Sequence, residues 1–379
     1  MRITDNYIYN LYISNLNNNM GKIASIQEKN TTGKKINRPS DNPINTARVL
    51  ELDDRLMRNE QFQNNISEAK AFLNFTQSAL QDAQKLMKKA YELALRGADA
   101  TLDSDERQSL AIQVDQILQE LIDVSRKKYQ DKYVFGGTRT LEQPFHAYTN
   151  VDNEEIVYDG TNKRIALSHS DIRKKGYLKL YDINGKLMDL GKDYDVDYEN
   201  GIIKILDGSN MTKGKYVISY QSYDVNFDSE KIVGVDENEK GIRDLFYQEI
   251  DNGIVIAINI SGYEAFEKDI NIFDTLINLR KALENNEQDK VNALISPVKK
   301  GIQQIMDNAA LAGTRIQRLN LTADRLVNNK LSIQELKSDI QDIDLAKSAM
   351  ELQKMRNIYQ AAIYSGRLIF ESTLVNFLR

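Results

Sequence analysis

From Ile44 to Arg96 the chain runs without a glycine or a proline. Leu52, Leu56, Ile66, Ala69, Leu73, Leu80, Ala83, Met87, Ala90 and Ala94 fall along it on one seam, with a repeat of about 3.5 residues. That period, held for so long, predicts a single helix roughly 80 Å in length with one apolar stripe. Compact globular domains seldom hold such a helix, whereas rods and bundles do. Ser40, Asp41 and Asn42 precede it as candidate caps, and Pro43 suits a first turn because its missing N–H would be unpaired there anyway.

The same period recurs towards both ends. Tyr9, Ile13, Leu16, Met20 and Ile23 mark an N-terminal helix, which Gly33 and Pro39 break. Asp103 and Glu106 form a capping box ahead of Leu110, Val114, Ile117, Leu121 and Val124, a helix expected to fold back on the long one. Ile272, Leu276, Leu279 and Leu283 make a short seam. Val291, Ile295, Val298, Ile302, Ile305, Ala309, Ala312, Ile316, Leu319, Ala323 and Leu326 make a long one, with Pro297 predicting a kink or a helix start. Ser338 and Gln341 read as the capping box of a last helix carrying Leu345, Ala349, Leu352, Tyr359, Ile363, Phe370 and Phe377.

The middle has another texture. Residues 146–263 hold 11 of the 19 tyrosines and 11 of the 19 glycines, which sets a compositional border on each side. Tyr177 to Tyr181 alternates, Asn184-Gly185 and Asn200-Gly201 are hairpin signals, and Ile202–Leu206, Lys215–Tyr220 and Ile254–Ile260 read as strands. The expected fold is mainly α with a β insertion: a long coiled-coil-like helical bundle built from both chain ends, plus a central, mostly antiparallel β domain. The expected domains are a terminal helical one (1–42 with 336–379), a helical stalk (43–145 with 264–335) and a β-rich outer domain (146–263).

Composition and motifs argue against catalysis. A net charge of -5 gives no electrostatic footprint for nucleic acid. There is no cysteine, so there is neither a disulfide framework nor a thiolate metal site, and His146 and His169 alone do not make one. Gly33-Lys34 fails as a phosphate loop, since Glu28 and Lys35 stand where that motif needs glycine and a hydroxyl residue. Asp339, Asp342 and Asp344 do not converge on a helix, and no Ser, His and Asp constellation stands out. We expect no catalytic, cofactor-binding or metal-binding residues, and we read the inserted tyrosines as strand and core residues rather than a sugar platform. Met1-Arg2-Ile3-Thr4-Asp5-Asn6 does not open a secretory signal peptide, and no apolar run reaches the roughly 20 residues of a membrane span.

The middle seams can bury one another. The terminal helices are cut off by breakers, and isolated helices of that length are marginal in water. They must pair with each other or with the same helices of neighbouring subunits, a head-to-tail contact that generates open helical filaments. The expected polymer contact is Tyr9, Ile13, Leu16, Met20 and Ile23 with Leu345, Leu352, Tyr359, Ile363, Phe370 and Phe377. The expected junction loop is Arg38, Pro39, Ser40, Asp41 and Pro43.

Several segments then resemble one family. Ile36-Asn37-Arg38-Pro39-Ser40-Asp41-Asn42-Pro43 resembles the link between terminal and stalk helices in bacterial flagellins and hook-associated proteins. Asn64-Asn65-Ile66-Ser67-Glu68-Ala69, Tyr133-Val134-Phe135-Gly136-Gly137-Thr138 with Gln143-Pro144-Phe145, Ser338 to Ala346, and Tyr359-Gln360-Ala361-Ala362 are similar to further family segments in order. The Arg-Pro-Ser-Asp form and the Phe273 to Leu276 pattern resemble the adapters between hook and filament, although Asn42 stands where Asp is more usual. The resemblance implies an inner tube of terminal helices, an outer β domain and export, without cleavage, through the flagellar type III apparatus to the extracellular flagellum. The partners it implies are hook-associated protein 1, flagellin, a ring of its own copies and an export chaperone, with no nucleic acid and no membrane insertion. A flagellin filament subunit is the alternative within the family. A surface adhesin or glycan-binding module on a helical stalk is the alternative outside it.

Overall fold

The computed structural model describes residues 2–226, 230–238 and 241–377, with side chains for all of these but residues 2–6, 8 and 368–377. Two helices open the chain, α1 (Arg2–Thr32) and α2 (Pro43–Gly97), followed by α3 (Ser104–Ser125). The hairpin β1 (Lys128–Tyr129) and β2 (Lys132–Tyr133) leads to β3 (Phe145–Tyr158). Then come β4 (Arg164–Ala166), β5 (Leu178–Asp182), β6 (Tyr194–Asp197), β7 (Ile202–Ile205), β8 (Gly214–Ser222) and β9 (Gly234–Glu237). A second hairpin, β10 (Tyr247–Asp251) and β11 (Ile254–Ala257), returns the chain to helix. Those helices are α4 (Gly262–Phe266), α5 (Ile272–Glu284), α6 (Gln288–Gln341) and α7 (Leu345–Phe377). The chain is mainly α with a β insertion, and its helical bundle is built from both ends. Residues 1–64 with 323–379 form one compact unit and residues 65–322 another.

In the second unit α2 buries Leu73, Leu80, Met87 and Ala94, α3 buries Leu110, Val114 and Leu121, and α5 buries Leu276, Leu279 and Leu283. The Asp103–Glu106 capping box forms as the sequence predicts. Three of the family-like segments meet in one aromatic cluster, which gives them a physical reason. Phe135, Phe145 and Phe273 surround Phe266, all four fully buried, with centroids 5.1, 5.6 and 5.5 Å from it. Phe135 and Phe145 meet Phe266 edge-on and Phe273 stacks on it, contacts that add to simple burial. Beside the cluster Gly137 takes φ +60°, and a side chain there would run into the Gly241 carbonyl.

The insertion folds into two antiparallel sheets, in the orders β5-β8-β3-β9 and β4-β7-β6. Ile156, Leu180, Tyr194, Ile203, Ile218 and Tyr220 belong to one apolar cluster drawn from both. The Asn-Gly signals lie at turns, with Gly185 at φ +77° and Gly201 at +62°. Tyr158, Tyr194, Tyr216 and Tyr220 are buried, as core residues should be.

Three details differ from expectation. Pro297 does not start a helix; it sits inside α6, which leaves the kink as the expected outcome. Ser338 is not a cap, because α6 continues to Gln341. The break falls at Asp342–Ile343, and Asp344 caps α7 by accepting from the Lys347 amide at 3.1 Å.

The third concerns the long C-terminal seam. Val291, Val298, Ile305, Ala312, Leu319 and Leu326 are buried, seven residues apart, but Ile295, Ile302, Ala309, Ile316 and Ala323 are only half-buried. The alternate inner positions go to Gly301, Asn308 and Thr322. Polar groups are kept there because they bond: Gln304 accepts from the amides of Asp269 and Ile270 at 3.0 Å each, and Asn308 donates to the Glu264 carbonyl at 2.9 Å. A buried polar group with such partners fixes register where a smooth apolar stripe would slide.

Candidate assembly surface at the paired ends

In the first unit α1 packs along α7. The half-buried positions of α1 include Tyr12, Leu16, Asn19, Ile23, Ile26 and Asn30; those of α7 are Leu352, Met355, Tyr359 and Ala362, bounded by buried Ser348 and Gly366. Both lists step by three and four, the spacing of one helix face. The register is therefore one place away from the apolar stripe, as in α6. Leu16, Ile23, Leu352 and Tyr359 lie on this inner seam. Tyr9, Ile13, Met20, Leu345 and Ile363 do not: they are 49%, 36%, 59%, 59% and 47% exposed and lie on the outward stripes of the two helices. The side chains of Phe370 and Phe377 lie outside the described residues.

Polar and small groups decide the register here too. The Tyr12 hydroxyl donates to the Ala362 carbonyl at 2.9 Å, and a side-chain carbon on Gly366 would come within 2.1 Å of that hydroxyl oxygen. The Tyr359 hydroxyl reaches the Met20 sulfur at 4.0 Å. A hydrophobic reading of the sequence could not choose between Ile13 and Tyr12 as the inner residue; the glycine at 366 was the available signal.

The junction segment ties both chain ends together. Lys34 bridges to Asp342 in antiparallel fashion, the Lys35 amide donates to the Gln341 carbonyl at 2.6 Å, and the Ile343 amide donates to the Gly33 carbonyl at 2.9 Å. Asp41 does not cap α2. Its Oδ2 accepts the amides of Asn37 and Arg38, both at 3.0 Å, which holds the turn and keeps its carboxyl below the ordinary range. Asn42 is the cap, accepting from the Asn45 amide at 3.0 Å, with Pro43 as the first helical residue. Arg38 reaches Glu28 at 3.2 Å; Pro39 and Ser40 are exposed.

One constellation was not legible in the sequence. In the insertion the Ser168 Oγ lies 2.9 Å from His169 Nδ1, and His169 Nε2 lies 2.5 Å from Glu230 Oε1. This looks like a nucleophile, base and acid. Yet Glu154 takes the Ser168 hydroxyl at 3.0 Å, its amide at 2.7 Å and the Tyr220 hydroxyl at 2.7 Å. A hydroxyl held by a carboxylate beside its own chain neighbour is a loop fastener, and the group ties the β4–β5 connection to β8.

The bacterial flagellin N-terminal helical region matches residues 3–140, and the bacterial flagellin C-terminal helical region matches residues 295–366. Together these take in more than half of the chain. It belongs to the bacterial flagellin family. Flagellin-family relatives include the flagellar hook-associated protein 3 of Salmonella typhimurium, 26% identical over 150 residues, which are 39% of this chain and 47% of that protein. The protein of that name from Escherichia coli is 24% identical over 38% of this chain and 46% of its own length. The chain thus spans about half the length of these two relatives. A flagellin of Clostridium tyrobutyricum is 18% identical over 96% of this chain and 97% of that one. The fold is shared with a solved structure assigned to a flagellar hook-associated protein of Vibrio parahaemolyticus, with TM-score 0.52 and 14% identity over 80% of this chain and all of that one. The family is one of structural flagellar proteins. No described helix is long and apolar enough to cross a membrane.

Proposed function

We propose that this flagellin-family chain is a non-enzymatic structural subunit of the flagellum, the adapter that joins the hook-side junction ring to the flagellin filament. The observation that carries the reading is the division of each terminal helix into two stripes. The inner stripe closes α1 on α7, and Ile13, Leu345 and Ile363 on the outer one stay exposed. Apolar side chains left exposed along a helix pair suit a protein contact. Copies stacked through it bury the stripe, with residues 1–42 and 336–379 as the polymer core, 43–145 and 264–335 as stalk, and 146–263 facing solvent. Ile36–Pro43 sets the exit angle of the stalk.

The partners in this reading are hook-associated protein 1, flagellin and neighbouring copies, with an export chaperone before assembly and the type III apparatus as the route out. The hook-associated relatives favour the adapter. The full-length alignment with the Clostridium flagellin favours a filament subunit as the second reading. Antibody labelling of isolated flagella separates the two. An adapter appears as one band where hook meets filament, and labelling along the whole filament would overturn the proposal.

A further inference from the structure

Two acidic side chains meet where the outer sheet joins the helical base. Glu237 ends β9, and Glu267 follows the last turn of α4. One oxygen of Glu237 accepts from Arg243. The other, Oε2, is buried and has no donor among the described residues. A carboxylate oxygen in that position has given up water and gained nothing. The Glu267 carboxyl lies at hydrogen-bond reach of Glu237, and its Oε1 faces the Asn271 side-chain amide at 3.4 Å. Two ionised carboxylates so close repel, and neither can donate to the other. One proton between them removes the repulsion and supplies the missing donor.

We propose that Glu267 keeps its proton at neutral pH and donates it to the Glu237 carboxylate, an acid–acid latch that fastens β9 to the end of α4. Burial and the neighbouring acids favour the protonated form. Arg243, a cation at the site that lies over the Tyr263 ring at 4.1 Å, works against the proton and is outweighed. Asp274, from the first turn of α5, adds negative potential at Glu267. Asp236, next to Glu237 on β9, is held by Arg173 and by the Tyr223 hydroxyl at 2.7 Å, so it offers the pair no proton. Lys281 acts on Asp274. Burial, then the neighbouring Glu237, pushes the Glu267 carboxyl up to about 8.

The consequence has a definite sign. An acid whose pKa is raised by folding keeps a proton that the unfolded chain releases in the ordinary carboxyl range. The latch is therefore fully closed at low pH, stability falls as pH rises from that range to about 8, and above it Glu267 is ionised and the latch open. Since β9 also packs on α5, opening loosens the edge where the outer sheet meets the base. This inference stands whether or not the chain is an adapter.

The test uses the full chain in its soluble form. The side-chain carboxyl resonance of Glu267 is followed by NMR on glutamate labelled with carbon-13. Melting temperature is followed from pH 6 to 9 for the wild type, Glu267→Gln and Glu237→Gln. Glu267 is expected to titrate near 8, and the wild type to lose about 5 °C over that interval. Each glutamine variant is expected to lose most of the slope, since an amide donates without titrating. A Glu267 resonance that titrates in the ordinary carboxyl range, or glutamine variants with the wild-type slope, overturns the latch. Should the variants fail to fold, the wild-type resonance decides alone.

Discussion

The Tyr12 hydroxyl donates to the Ala362 carbonyl at 2.9 Å, joining positions 350 residues apart. That bond exists because residue 366, one turn further along α7, has no side chain: any Cβ there would lie 2.1 Å from the same oxygen. The closest approach of the two chain ends is thus set by a tyrosine and a glycine, not by the largest apolar residues.

Gly366→Val is therefore expected to force α1 away from α7, and Tyr12→Ala in the same chain to restore space. Helices of this length are marginal once separated. The single variant should lose helical circular dichroism in the soluble subunit, and the double variant should regain part of it. Equal helicity in all three proteins would show that the ends do not pair in the monomer.

Arg280 carries a second prediction. It is 2% exposed, pairs with Asp115 and donates to the Ile232 carbonyl at 2.7 Å. Removing one member of a buried pair leaves the other charge uncompensated, at a cost of about 3–5 kcal/mol. Arg280→Met should lower the unfolding free energy by that order in denaturant titrations. Arg280→Met with Asp115→Leu should recover much of it, because no charge is left behind. A loss below about 1 kcal/mol for the single variant would place the pair in water.

The junction turn should respond to acid. Asp41 accepts two backbone amides, so folding lowers its pKa from the ordinary 3.8, and its contribution is present above that value and lost as pH falls through the lowered one. The amide resonances of Asn37 and Arg38 should shift together, with a midpoint below 3.8. A midpoint at or above that value would mean that the two bonds do not form in solution.

The helical architecture was legible because its signals are local and periodic. A 3.5-residue repeat without breakers left α2 no other conformation, and Asp103 with Glu106 marked the start of α3 by chemistry alone. Register was harder to read. On α1, α6 and α7 the sequence offers two apolar positions per heptad that step by four then three. The packed seams use three then four, with Tyr12, Asn308 and Ala362 in the extra places. Hydrophobicity cannot see a hydrogen bond to a carbonyl 350 residues away, nor a glycine's value to a partner helix. For the same reason Ile13 and Ile363 were grouped with Leu16 and Leu352, although the first pair faces out and the second faces in. Ser168, His169 and Glu230 lie outside the strands and meet only in the folded insertion, which no spacing in the sequence reveals.

A charge placed on the outward stripe tests whether that stripe is the contact between subunits. Ile13→Asp with Ile363→Asp alters two residues that are 36% and 47% exposed in the single chain. In the monomer the carboxylates stay solvated, and in a stacked assembly each is buried without a partner at a cost of several kcal/mol. Secretion into the medium and filament number per cell are to be counted in the same culture. The expected result is normal secretion of a folded subunit with unchanged helicity, and cells without filaments. Filaments in normal number and length from the secreted double variant would contradict the central claim.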